Sequence, residues 1–116
     1  MDLTGKWKYR EDYGYGTAEG ELFLTQNEGH LSGKIVFTDN VADNDKYMIQ
    51  EFVEGKLEDM KVRLDAYEFD IIHSEHDIRY ELDRWFGVLV DEKTIKGISE
   101  DEQGIGGVFL FEKLDV

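Results

Sequence analysis

The chain has no cysteine and no proline. Without cysteine no disulfide can staple the fold, so packing and sheet hydrogen bonds must hold it together. Positive charge is also scarce. Thirteen Lys and Arg stand against 27 Asp and Glu, a formal net charge of −14. A nucleic-acid binder needs a basic face to neutralise phosphates, and an anionic membrane surface repels a chain of this sign. Nucleic acid is therefore excluded as a partner. No stretch approaches the ~20 consecutive apolar residues of a membrane-spanning helix, and no membrane insertion is expected. The first residues, Met1 to Trp7, contain no basic segment followed by an apolar one, so they do not read as a signal peptide. A cytoplasmic protein is expected, or a secreted or periplasmic one from which a leader was removed.

The apolar content is ample. Hydrophobic residues make up 41% of the 116 and aromatics 13%, enough for a core and too much for a disordered chain. The length suits one domain, residues 1–116. Period-2 alternation dominates and helical periodicity is poor throughout. Eight strands follow: Leu3 to Tyr13, Thr17 to Gln26, His30 to Thr38, Lys46 to Leu57, Met60 to His73, Ile78 to Val90, Thr94 to Glu100 and Ile105 to Leu114. Between the second and third, Asn27-Glu28-Gly29 makes a tight turn in which glycine supplies a positive φ. In the fifth, the alternation of Val62, Leu64 and Ala66 passes to Tyr67, Phe69 and Ile71, which predicts a β-bulge near Ala66. The inward phase of the fifth and eighth strands is left open, because apolar residues occupy both.

Connections this short force antiparallel neighbours, since a parallel return needs about a dozen residues of crossover. Eight such strands without helices are best accommodated by closure, which removes sheet edges. The expected fold is an all-β, eight-stranded antiparallel up-and-down barrel, whose interior side chains just fill or which holds one small ligand. A flattened sandwich or half-barrel is the alternative.

The opening Leu3-Thr4-Gly5-Lys6-Trp7 resembles the start of the calycin superfamily, which includes lipocalins, fatty-acid-binding proteins and avidins. The stretches Gly20 to Gly33 and Gly104 to Lys113 look like the second, third and closing strands of such barrels. The resemblance implies that Trp7 plugs one end of the barrel, that Gly5 lets the backbone bend around it, and that Lys113 stacks on the indole where the family usually carries arginine. A cation–π contact of this kind is worth roughly 0.5–2 kcal/mol. The resemblance does not extend to the family's ligands. After Trp7 an avidin has the polar set that holds biotin, whereas this chain has Lys8-Tyr9-Arg10-Glu11-Asp12. A haem barrel of the nitrobindin type uses prolines and a late histidine, and here the last histidine is His76.

The lumen is expected to be lined by Tyr47, Ile49 and Glu51 on the fourth strand, Val62 and Leu64 on the fifth, and Tyr80, Leu82, Arg84 and Phe86 on the sixth. Charged groups inside a barrel are costly unless paired, so a buried Arg84 would pair with Glu51 or Glu68, as a structural ion pair or as the polar handle of a ligand with an apolar body; the structural or an exposed reading is favoured. His73-Ser74-Glu75-His76-Asp77 is rich in donors but matches no metal-site spacing. Asp39, Asn40, Asp43, Asn44 and Asp45 lack the glycine and glutamate of a calcium loop and read as a polar loop at the barrel mouth. No metal and no cofactor are expected. No nucleophile motif is present, so an enzyme is not expected. The reading is a barrel that binds a small hydrophobic or amphipathic molecule, as a monomer or homodimer. The alternative is a structural or interaction module with a filled core.

Overall fold

The computed structural model describes residues 2–14, 16–41, 47–73, 81–104 and 106–114. Eight strands follow in order: β1 (Gly5–Asp12), β2 (Gly16–Asn27), β3 (His30–Val41), β4 (Tyr47–Glu58), β5 (Lys61–His73), β6 (Asp83–Asp91), β7 (Thr94–Asp101) and β8 (Val108–Lys113). Each pairs antiparallel with its neighbour, and β1 pairs with β8, from Trp7 opposite Lys113 to Asp12 opposite Val108. The sheet closes into a meandering barrel, which resolves the sandwich alternative.

Closure bends the strands so strongly that some positions admit no side chain. A Cβ on Gly33 would sit 1.8 Å from the Phe23 carbonyl oxygen on β2, so glycine lets the two strands approach where the wall turns a corner. The expected bulge is present. Phe52 faces Glu68 and Val53 faces Ala66, leaving Tyr67 as the extra residue; a second shift lies between Met48 and Ile49. The bulge carries the inward phase of β5 from Val62, Leu64 and Ala66 to Phe69. Tyr67 itself is exposed. In the β2–β3 turn it is Glu28 that takes the left-handed conformation (φ 58°), and Gly29 does not.

The two ends of the barrel differ. At one, β2–β3, β4–β5 and β6–β7 are joined by two-residue turns, 28–29, 59–60 and 92–93. At the other, the connections span 13–15, 42–46, 74–82 and 102–107. The tight end is sealed by apolar packing. Leu3, Trp7, Leu22, Leu31 and Ile95 are fully buried there and in the wall above. The Tyr9 ring forms the middle layer, 5.5 Å from Phe37 and Phe111 and 6.3 Å from Trp85 between centroids. Edge and tilted approaches of this kind are the favoured aromatic geometries.

The sixth strand requires a correction. It begins at Asp83 and turns Trp85 and Leu89 inward, so Arg84, Phe86 and Val88 face outward. Arg84 pairs with Glu100 across the outer surface at 3.0 Å, with both side chains 41% exposed. Neither Glu51 nor Glu68 is its partner. The polar loop also begins later than expected. Asp39 and Asn40 lie on β3, and Asp39 continues the inward series Leu31, Ile35 and Phe37. Asp43, Asn44 and Asp45 lie outside the described residues, as do Tyr80 and Ser74 to Asp77.

Candidate functional site

Alternation on β1 sends Trp7, Tyr9 and Glu11 inward together. The first two fill the core. The third places a carboxyl, 5% exposed, inside the barrel at the end with the longer connections. Three side chains from three strands donate to it. The Tyr9 hydroxyl reaches Oε1 at 2.5 Å and the Trp85 indole reaches the same oxygen at 3.3 Å. The Ser99 hydroxyl donates to Oε2. Each donor lies on an inward phase of β1, β6 or β7, so the register of the barrel sets their convergence. Burial pushes the Glu11 carboxyl above its usual range, and the three donated bonds oppose that rise.

A second buried carboxyl lies two strands along the same wall, since Glu11 on β1 and Asp39 on β3 both stand opposite Ala18 on β2. Asp39 is 6% exposed; its Oδ2 accepts from the Tyr47 hydroxyl at 2.8 Å, and its Oδ1 has no hydrogen-bond partner among the described residues. Burial raises this group too, against the Tyr47 bond. Glu51, fully buried on β4, accepts from the Asp83 amide at 3.2 Å. Tyr13 completes the layer. Burial, reinforced by the charges of Glu11, Asp39 and Asp83, holds its phenol far above the usual range. Glu11, Asp39, Glu51 and Asp83 thus share one end of the barrel with Tyr9, Tyr13 and Tyr47. The arginines nearest in sequence, Arg10 and Arg84, are turned outward onto Glu112 and Glu100.

Of the residues expected to line the lumen, Tyr47, Ile49, Glu51, Val62 and Leu64 face inward. Val62 and Leu64 pack into the apolar core, away from the polar layer that Tyr47 and Glu51 join. Arg84 and Phe86 lie outside, Leu82 precedes β6, and Tyr80 is not described. A single cavity lined by Tyr47, Leu64, Tyr80 and Phe86 therefore does not form among the described residues. The sealed end has the expected components. The Trp7 indole is fully buried and donates to the Leu3 carbonyl at 2.9 Å. Lys113 Nζ lies 5.8 Å from the indole ring and donates to the Asp2 carbonyl at 3.1 Å. Gly5 has φ 145°, and a Cβ there would press on Lys113 Cε at 3.1 Å.

Glu11 and Asp39 are not among the site residues expected from the sequence. Both carry a signal there, because each is an acid on the phase set by its buried neighbours: Trp7 and Tyr9 for one, Leu31, Ile35 and Phe37 for the other. Outside the barrel, a cavity of about 710 Å³ runs along the wall over Phe86, Val88 and Ile98, rimmed by Lys61, Arg63 and Lys96 and by Glu58 and Asp59. Ile98 and Val108 are each 60% exposed beside it.

No family model matches the chain, and no curated protein matches it in sequence. Its structure is similar to designed barrels. A redesigned β-barrel, mFAP1, bound to DFHBI, aligns with a TM-score of 0.65 at 11% identity, covering 96% of this chain and 94% of that one. A second redesigned barrel bound to the same compound, mFAP0, gives 0.63 at 11% identity over 96% and 98%. A de novo designed fluorescence-activating β-barrel gives 0.59 at 11% over 97% and 94%. At such identities the likeness establishes the fold.

Proposed function

We propose that the protein is a non-catalytic barrel of calycin type that binds one small molecule at the Glu11–Asp39 end of its lumen. The observation that carries this reading is the asymmetry of the interior. One end is closed by Trp7 and tight turns. The other holds four acidic residues and three tyrosines where an unliganded core would be apolar. Buried polar groups in a largely apolar concavity are what orient a small ligand. Two of the similar designed barrels are bound to DFHBI, which supports the capacity of the architecture for such a role. The ligand body packs on the aromatic layer of Tyr9, Phe37 and Tyr13, and the polar groups select its head. Native mass spectrometry of protein from its own host should reveal a one-to-one small-molecule adduct that is released on unfolding. A clean apoprotein that also takes up nothing from a fragment library in saturation-transfer NMR would overturn the reading.

A second reading has its own observation. The outer cavity over Phe86 and Ile98 has an apolar floor with a rim of mixed charge, Lys61, Arg63 and Lys96 beside Glu58 and Asp59, and suits an interaction module with a filled core. Chemical shifts confined to β6 and β7 on adding a binding molecule would favour it.

A further inference from the structure

We propose that the occupant of the lumen site is a small organic cation, a protonated amine on an apolar body, held by Asp39 Oδ1. This rests on the reading of the Glu11–Asp39 end as the binding site, and it names the ligand class.

Asp39 is almost fully buried, yet among the described residues only Oδ2 has a partner, the Tyr47 hydroxyl at 2.8 Å; Oδ1 is buried and accepts from none of them. A buried acceptor left unmet costs the full desolvation of that atom. Glu11 lies two strands away on the same wall, both residues standing opposite Ala18, with its own oxygens already taken by Tyr9, Trp85 and Ser99. Among the described residues the site therefore lacks two things, a donor aimed at Oδ1 and a positive charge near the two carboxyls. A neutral alcohol supplies the first alone. A carboxylate supplies neither and meets like charge. An ammonium supplies both in one charge-assisted bond, and the faces of Tyr13, Tyr47 and Phe37 suit a cation and its apolar body. Among the described residues no three His, Cys, Asp or Glu converge as metal ligands, which favours a cation that brings its own apolar surface over a bare ion.

The test is calorimetric titration of the wild-type protein with 2-phenylethylamine, 2-phenylethanol and 3-phenylpropanoate, with the two indole NMR signals recorded alongside. The amine should bind about tenfold or more tightly than the alcohol, as one charged hydrogen bond dictates, and the carboxylate should be weakest. Asp39→Asn, close in shape, should remove the preference for the amine, while Arg84→Ala, on the outer wall, should leave it intact. If Asp39→Asn fails to fold, the order of the three probes on wild type decides alone. Equal binding of amine and alcohol, with the Trp85 indole shifting, would overturn the inference and leave the lumen site standing. Absence of lumen binding by all three would overturn both.

Discussion

Replacing Glu11 in two ways separates what the buried network needs from what it tolerates. Glu11→Ala leaves the Trp85 indole and the Tyr9 and Ser99 hydroxyls without their acceptor in a site that water reaches poorly. Ser99 can rotate to another partner, so the loss is counted on the other two. At about 1–3 kcal/mol for each stranded donor, Glu11→Ala should cost roughly 2–6 kcal/mol. Glu11→Gln keeps an oxygen for Tyr9 and Trp85 and offers its amide to the Ser99 oxygen, so it should cost less than about 1 kcal/mol at neutral pH. The charge adds a pH signature. Burial raises the Glu11 carboxyl above its unfolded value, so the native state holds its proton more tightly. That stabilisation is complete below the unfolded pKa and fades as pH rises through the folded one. Asp39, raised in the same direction, gives both proteins the same trend and cancels in their comparison. Wild type should therefore lose stability relative to Glu11→Gln as pH climbs from the ordinary glutamate range through the raised value of the folded state. Urea midpoints at fixed m-value measure both effects. Equal midpoints for the alanine and glutamine variants, or a wild-type-to-glutamine difference flat with pH, would refute the network.

Trp7→Ala should cost roughly 3–5 kcal/mol by opening the sealed end, while Lys113→Ala, losing one cation–π contact, should cost under about 1 kcal/mol in the same thermal scans. Gly33→Ala must force β2 and β3 apart, since its methyl would overlap the Phe23 carbonyl; a loss of about 3 kcal/mol or more is expected, against little change for Ser32→Ala, whose side chain faces solvent. Arg84→Ala should change stability by no more than about 1 kcal/mol, because its Glu100 pair is an exposed one. A larger effect in urea titration would restore an interior role for Arg84.

The barrel was readable from the sequence because its strands obey local rules. β4 alternates Tyr47, Ile49, Glu51 and Val53 inward without interruption. The bulge at Tyr67 was visible as a change of phase, the one mark that a bulge leaves in sequence. The sixth strand misled because Ile78, Tyr80 and Leu82 continue the phase of Arg84, Phe86 and Val88. The strand starts only at Asp83, so those earlier residues set no phase for it. Trp85 and Leu89 then take the inside, and Phe86, Val88 and Ile98 are left as apolar outer-wall residues. Charge type misled at the site. Asp39 read as part of a polar loop and Glu11 drew no site role, since buried carboxylates are rare. Their phase marks them as inward, but the partners that hold Glu11 do not show locally, since Trp85 and Ser99 come from strands far along the chain. No local pattern carries that convergence.

The chain has two tryptophans, and the fold places one at each end of the barrel. The Trp7 indole donates to Leu3 in the sealed end, and the Trp85 indole donates to Glu11 in the polar one. Their two side-chain signals in a ¹H–¹⁵N spectrum therefore report separately on the two ends. On titration with a binding small molecule, binding in the polar end shifts the Trp85 indole and leaves that of Trp7 in place. Movement of Trp7 alone, or of neither while the amides of Val88 and Ile98 shift, would contradict it.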